Sequence, residues 1–406
     1  MTTDPQGPSS ATRLPVGEAV RHRFPGLVDG WVRLDGPAGT LPVDTSIRAM
    51  HAHYSSAGHA NVGGYFEASV RTGELVDRAR SAVAELVGAR PDEVVFGRSS
   101  TALCMEFTRA LSRHWGPGDR VVCTRLDHDA NVAPWLLAAR DCGAVVEFLD
   151  VDPVTGVLDI EPLASLCADG RTRWVAVSGA SNLTGHAPDL AEVARVAHAG
   201  GARVHVDAVA RVPHLPTDMA ALDLDSLMTS PYKWYGPHAG VLVARHGLLN
   251  TVEPYRVRPA DYAGAPRWEL GTPQFEVIAG IEGAARFMLE ADLAAVAAVE
   301  ADLLTALQSG LESIDGVAVH GPPPGPDRAP TVIFSVAGLH PDEVARRLAR
   351  RRIAVWSGDN YACELIDALG LRQAGGAVRA GIVRYSSSSD IASLVHAVAE
   401  STEHRS

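Results

Sequence analysis

The strongest constraint on the fold is an alternation. Short apolar runs at 94–96, 121–124, 145–149, 174–178 and 204–206 are separated by helix-like stretches, the clearest over 100–112 and 130–141. A helical pattern over 73–86 precedes them, and strand-like runs at 226–230 and 240–245 follow. Strands separated by helices do not close as hairpins. The chain crosses over the sheet each time, which gives a mostly parallel sheet covered on both faces. Ligands of such sheets bind beyond the carboxyl ends of the strands. The texture changes near 271–273. An alanine-rich helical stretch over 276–311 leads to a Pro/Gly loop at 321–326. Strand 331–336, helix 341–351, strand 353–356, a helix near 361–369, strand 378–385 and a last helix complete the chain. The expected class is α/β throughout: a loosely structured arm over 1–30, a large domain over 31–272 and a smaller C-terminal α/β domain over 273–406. Segment 31–50 is placed where it can pack on the small domain. Residues 51–66 read as a loop, with Asn61 its candidate polar group if the loop lines a site.

Composition narrows the function. The 406 residues suffice for two domains and a large core. A net charge of −12 argues against nucleic acid or an anionic membrane as the main partner. No apolar run approaches the about 18 residues of a membrane span, and the polar segment 1–13 has no apolar signal core, so a cytoplasmic protein is expected. Cys104, Cys123, Cys142, Cys167 and Cys363 are odd in number and widely spaced, without a C-x-x-C pair. That pattern reads as reduced thiols with no metal site.

Thirty-six residues are Lys or Arg, and only Lys233 is lysine. Codon bias toward arginine explains a surface without lysine, but not the one that stayed. Arginine replaces lysine as a surface charge; it cannot replace an amine nucleophile, because guanidinium keeps its proton. Lys233 follows the run 226–230 and opens an aromatic, Gly/Pro-rich turn, Tyr232-Lys233-Trp234-Tyr235-Gly236-Pro237. It is therefore the candidate Schiff-base lysine, beside Ser230.

The other strand exits carry a matching set. Ser99, Ser100 and Thr101 open a helix after 94–96; such a start holds phosphate, although an N-cap by Ser99 or Ser100 explains it equally. His128, in Asp127-His128-Asp129-Ala130-Asn131, can stack on a flat ring or simply be solvated, with Asp129 as an N-cap. Asn182, in Ser181-Asn182-Leu183-Thr184-Gly185, is a partner for a ring hydroxyl or an ordinary turn residue. Asp207 closes an apolar strand, where a buried carboxylate needs a partner such as a pyridinium N–H. Together these are the groups that pyridoxal 5′-phosphate requires.

With those residues in place, the chain resembles the fold-type-I pyridoxal-phosphate enzymes of the class V aminotransferase group, in the cysteine desulfurase-like branch. The resemblance covers roughly residues 31–390. It rests on Val206-Asp207-Ala208, Ser230 with Lys233, Tyr235-Gly236-Pro237 and Glu269-Leu270-Gly271-Thr272-Pro273, together with the two loops holding His128 and Asn182. It implies a large domain with a mostly parallel sheet of the seven-stranded type, a small C-terminal domain and a homodimer. It implies that Ser100, Thr101 and Ser230 hold the phosphate, that His128 stacks on the ring, and that Asn182 meets the ring hydroxyl. Asp207 would meet the ring nitrogen, Lys233 would form the internal aldimine, and Thr272 would reach the partner subunit's phosphate. Arg379 would grip an amino-acid carboxylate; a surface charge on an edge strand is the alternative.

Three departures from the family pattern stand out. Tyr232 precedes the lysine where the family usually has His. Ala210 stands where Gln or His often follows the aspartate. The loop that carries the desulfurase thiol reads Gly358-Asp359-Asn360-Tyr361-Ala362-Cys363, with Tyr361 at the thiol position and Cys363 two residues later. If that segment is helical, two residues turn Cys363 toward the opposite face. The expected activity is an enzyme acting on an amino acid through an external aldimine and cleaving a Cβ–X or C–S bond without the usual persulfide cysteine. Tyr361 is then a substrate-side residue. Transamination, decarboxylative or aldol-type C–C chemistry, and non-catalytic binding of the cofactor remain open readings.

Overall fold

The computed structural model describes residues 17–56, 59–260 and 262–403. Of the expected loose arm, 1–16 lies outside these residues. The rest is ordered: two 3₁₀ turns, Gly17–Arg23 and Pro25–Asp29, bury Val20 and Phe24. The Phe24 ring sits edge-on to Tyr235, Phe287 and Tyr385, with centroids 4.7–5.7 Å away, which anchors this segment on the core.

The chain then runs through β1 (Val32–Arg33), α1 (Asp44–Ser55) and α2 (Glu67–Leu86). The presumed loop 51–66 is thus helical as far as Ser55. The large sheet follows: β2 (Val94–Gly97), α3 (Ser100–Leu111), β3 (Arg120–Thr124), α4 (Ala133–Cys142), β4 (Val145–Leu149), α5 (Leu163–Cys167), β5 (Thr172–Ser178), α6 (Leu190–Ala199), β6 (Arg203–Asp207), β7 (Ser226–Thr229) and β8 (Gly240–Ala244). Its order is β2-β8-β7-β6-β5-β3-β4, seven strands, with β8 alone antiparallel to its neighbours. Six strands therefore point their carboxyl ends to one side. Every residue of β6, β7 and β8 except Arg203 is buried, as expected where helices cover both faces of a parallel sheet.

After α7 (His246–Thr251) comes α8 (Phe275–Leu289) and then α9 (Leu293–Glu312). A single helix over 276–311 does not form. Asp292 interrupts it, its carboxylate accepting from Ala294 N and Ala295 N as the cap of α9. The break separates two packing environments. Although α8 lies beyond 272, it packs on α1 and α2, and Ile278, Ile281, Ala284 and Phe287 join the large core. By contrast, α9 belongs with β9 (Val317–His320), β10 (Thr331–Val336), α10 (Pro341–Arg350), β11 (Ile353–Ala354), β12 (Trp356–Gly358), β13 (Ala377–Gly381) and α12 (Ser388–Glu403), whereas α11 (Cys363–Ala368) sends Leu365 and Ile366 into the large core. Leu303, Leu304, Leu307 and Leu311 of α9 pack with Val332, Phe334, Val378 and Leu394 in a second core. Helix α9 is also long and apolar enough to cross a membrane by length and composition, despite Glu300 and Asp302; here a third of it is buried and it packs on α12 and β9.

The small sheet is antiparallel, in the order β12-β13-β10-β9. The expected strand 353–356 is split at Val355: β11 pairs with β1, whereas β12 pairs with β13. Leu34 follows β1 into the small core. The expected strand 378–385 stops at Gly381, where an added Cβ would lie 2.0 Å from Pro37 Cγ.

Candidate active site

The strands of the large sheet deliver their polar residues at their carboxyl ends. Ser100 and Thr101 open α3 after β2, His128 follows β3, Asn182 follows β5, Asp207 ends β6, and Ser230 and Lys233 follow β7. All seven line one cavity.

At one end lies the start of α3. Ser99, not Ser100, is the cap, accepting from Ala102 N at 3.1 Å. The N–H groups of the first turn and the hydroxyls of Ser100 and Thr101 gather at this end of the cavity, the groups that an anion seat requires. The Ser100 hydroxyl lies 2.8 Å from that of Ser230 and donates to Thr229 O. Gly240 lets β8 pass beneath, since a Cβ there would meet the Ser99 carbonyl carbon at 2.2 Å.

His128 stands on a short turn, Asp129–Asn131, and its Nδ1 accepts from Ala130 N at 3.0 Å. This corrects Asp129 as the cap: the Asp129 N–H instead donates to Tyr361 O at 2.7 Å. With Nδ1 an acceptor the imidazole is neutral and carries its proton on Nε2. Burial, with the charges of Lys233 and Arg379, lowers its pKa to about 4. A neutral ring stacks on a cofactor without adding charge. The loop is held by Asp127, a residue the motif contains but to which no role was assigned. Asp127 is buried and accepts from Asn131 Nδ2 at 2.8 Å and from the Thr124 hydroxyl; Asn131 Oδ1 in turn accepts from Trp135 Nε1. Burial pushes Asp127 up to about 8.

Asp207 is buried, and its Oδ1 accepts from Val209 N at 2.9 Å. Burial raises it to about 6, against the Val209 bond and the charge of Lys233. Lys233 lies in a 3₁₀ turn, Pro231–Lys233, and its amine donates to Pro37 O. Burial first, and Arg379 second, lower its pKa to about 7, with Asp207 opposing. A substantial share of the amine is therefore free base at neutral pH. Tyr232 also lines the cavity, stacked on His238 at 4.9 Å.

The small domain meets the cavity at Asn182. Arg379 on β13 is buried, and its Nη1 donates to Asn182 O at 2.9 Å. Asn182 Nδ2 donates to Asn360 O at 2.9 Å. Two buried polar atoms lack partners here, Asn182 Oδ1 and Arg379 Nε. Such groups are costly unless something else satisfies them. An anion seat, a neutral stacking ring, a buried carboxylate, a depressed amine and two unsatisfied polar atoms fit pyridoxal phosphate with an amino-acid carboxylate.

Three expected residues lie apart from this set. Tyr361 is exposed, with its ring 5.4 Å from that of His128 and tilted 29°. Thr272 lines a separate groove with Gly97, Arg98 and Glu269. Asn61 is exposed, and only its carbonyl is engaged, by Ser69 Oγ. The loop through Tyr361 is not helical. Asn360 and Tyr361 both have left-handed backbones, φ 51° and 59°, and Cys363 begins α11, so the helical-turn argument for Cys363 does not apply. Among the described residues no group of three His, Cys, Asp or Glu could hold a metal.

The aminotransferase class-V family matches residues 32–394. An uncharacterised protein of Mycobacterium tuberculosis is 34% identical over 94% of this chain and 98% of its own length. The cysteine desulfurase CsdA of Escherichia coli is 30% identical over 94% of this chain and 97% of its own. The crystal structure of CsdA superposes with a TM-score of 0.86 at 28% identity, covering 94% of this chain and 97% of that one. The apo cysteine desulfurase of Thermococcus onnurineus gives 0.90 at 27%, covering 96% and 98%. The chain thus belongs to the aminotransferase class-V family, as a fold-type-I pyridoxal-phosphate enzyme of the cysteine desulfurase-like branch.

Proposed function

We propose that this enzyme cleaves the Cβ–S, or an equivalent Cβ–X, bond of an amino acid and releases the leaving group directly, without an enzyme persulfide. When bound, pyridoxal phosphate supplies an aldehyde that captures amines and a ring that withdraws electrons from the substrate Cα. In this reading Ser100, Thr101 and Ser230 hold the phosphate, His128 covers the ring, Asn182 meets its hydroxyl and Asp207 keeps its nitrogen protonated. Arg379 orients the substrate carboxylate, and the Lys233 amine takes the Cα proton. The electron pair left at Cα forms a Cα–Cβ double bond while the Cβ–S pair leaves with sulfur, which gains a proton. Water then yields pyruvate and ammonia. The subunits form a cytoplasmic homodimer, in which Thr272 reaches the partner's phosphate and the exposed Tyr65, Phe66, Val257 and Tyr262 supply apolar contact.

The observation that carries the reading is the arrangement of the rim. Tyr361 lies beside His128, whereas the Cys363 thiol lies 3.8 Å from Asp359 Oδ2 at the start of α11. Burial and the Asp359 charge raise the Cys363 pKa, opposite to what a nucleophilic thiol requires. Product analysis with cysteine and its thioethers tests it. Pyruvate, ammonia and free thiol in equal amounts are expected. Keto acid with retained nitrogen would show a transaminase, and loss of carbon dioxide or transfer of a carbon unit would show C–C chemistry.

A further inference from the structure

The small domain presents a second feature beside Arg379. Trp356 on β12 is the register partner of Arg379 on β13. Directly opposed residues of an antiparallel pair share a face, with Cβ atoms about 5 Å apart. That face carries Arg379 toward Asn182 and the cavity. Arg379 is 4% exposed and Trp356 is 51% exposed, so a buried guanidinium and an exposed indole stand side by side on this face.

Tyr361 is a second exposed ring, 69% exposed, and it lies 5.4 Å from the ring of His128, which lines the cavity. The Tyr361 backbone is left-handed, a conformation costly for a tyrosine, as is that of Asn360 before it, where asparagine tolerates it. Tyr361 N donates to Asp359 Oδ1 within the turn, and two hydrogen bonds from the large domain hold it in place: Asn182 Nδ2 to Asn360 O, and Asp129 N to Tyr361 O. The backbone carbonyl of the same Asn182 accepts from Arg379 Nη1. One residue of the cavity wall therefore fixes both the carboxylate grip and the loop that bears the ring.

We propose that Trp356 and Tyr361 form the side-chain subsite of this enzyme, and that its substrate carries a flat group beyond Cβ, such as an aryl or heteroaryl thioether. This rests on Arg379 as the carboxylate grip. A substrate so gripped has Lys233 and the cavity walls around its Cα, and its side chain extends toward the opening. The side chain of free cysteine has no planar group to lay against either ring. A planar substituent covers both, and aromatic contacts add to the gain from burying them.

The test uses holoenzyme and the absorption change of its cofactor on binding L-alanine, L-phenylalanine and L-tryptophan. The aromatic amino acids should bind at least about tenfold more tightly than alanine, which corresponds to about 1.4 kcal/mol. Trp356→Ala and Tyr361→Ala should each reduce that ratio to about threefold or less, while Trp356→Phe retains most of it. The ratio is taken within each protein, so partial loss of folded enzyme does not alter it. Equal affinities for all three amino acids, or a preference that survives both alanine substitutions, would overturn the subsite and leave Arg379 intact. No spectral response to any amino acid would overturn the carboxylate grip and this proposal together.

Discussion

The floor and the rim of the cavity are built by different means. Strand ends lay the floor: Ser100, His128, Asn182, Asp207 and Ser230 each sit at or just beyond the carboxyl end of a strand in the large sheet. The rim, 356–363, comes from an edge strand and a loop with two left-handed residues, held down by bonds that cross between domains. On the floor, position follows from the sheet. On the rim, position depends on contacts distant in sequence. Cofactor chemistry can therefore stay fixed in such a protein while the rim is rebuilt for another substrate.

The largest effect should come from the floor. Lys233→Arg should fold and retain cofactor weakly, yet lose all turnover, because guanidinium keeps its proton. Borohydride reduction of the native enzyme should place the pyridoxyl group on the Lys233 peptide by mass mapping; a label elsewhere would remove Lys233 from its role. The sign of the pH effect follows from the lowered amine pKa of about 7. Below that pH the amine is protonated and cannot attack. The rate of cofactor capture by the cofactor-free protein should therefore rise through about pH 7 and level off above it, as rapid-mixing absorbance would show. A rise delayed to pH 10 would mean that the amine is not depressed.

Next, Asp207→Asn should keep the cofactor and lose at least about a hundredfold in kcat. A ring-nitrogen pKa shift of several units is worth about 1.4 kcal/mol per unit, enough for that loss. Turnover near the native value would show that Asp207 does not govern the ring nitrogen. The grip at the junction of floor and rim should matter less. Arg379→Ala should raise KM for amino acids about tenfold or more, as expected for a charge-assisted bidentate contact of about 1.5–3 kcal/mol. Unchanged KM would move the carboxylate to another arginine.

The same contrast explains what the sequence revealed. Strands 145–149 and 331–336 were legible to the residue, and Lys233, Asp207 and Asn182 could be placed by counting from strand ends. Asp127 received no role because a loop aspartate gives no sign that Thr124 and Asn131 will close around it. The break at Asp292 was hidden in an alanine-rich run with helical periodicity on both sides. The split at Val355 was hidden because it depends on which partner strand each half meets. Rim geometry was least legible, since a helical reading of 361–363 ignores the bonds from Asn182 and Asp129 that hold Tyr361 outside α11.

The most direct test of the floor-and-rim account is a persulfide-trapping digest of native enzyme turning over L-cysteine or a cysteine thioether, read with the kinetics of Cys363→Ser. The account predicts no trapped sulfur on the Cys363 peptide and activity within about twofold of native, as for a substitution away from the reacting atoms. A labelled Cys363 peptide, together with loss of turnover in Cys363→Ser, would contradict it and make the rim that of a persulfide-forming desulfurase.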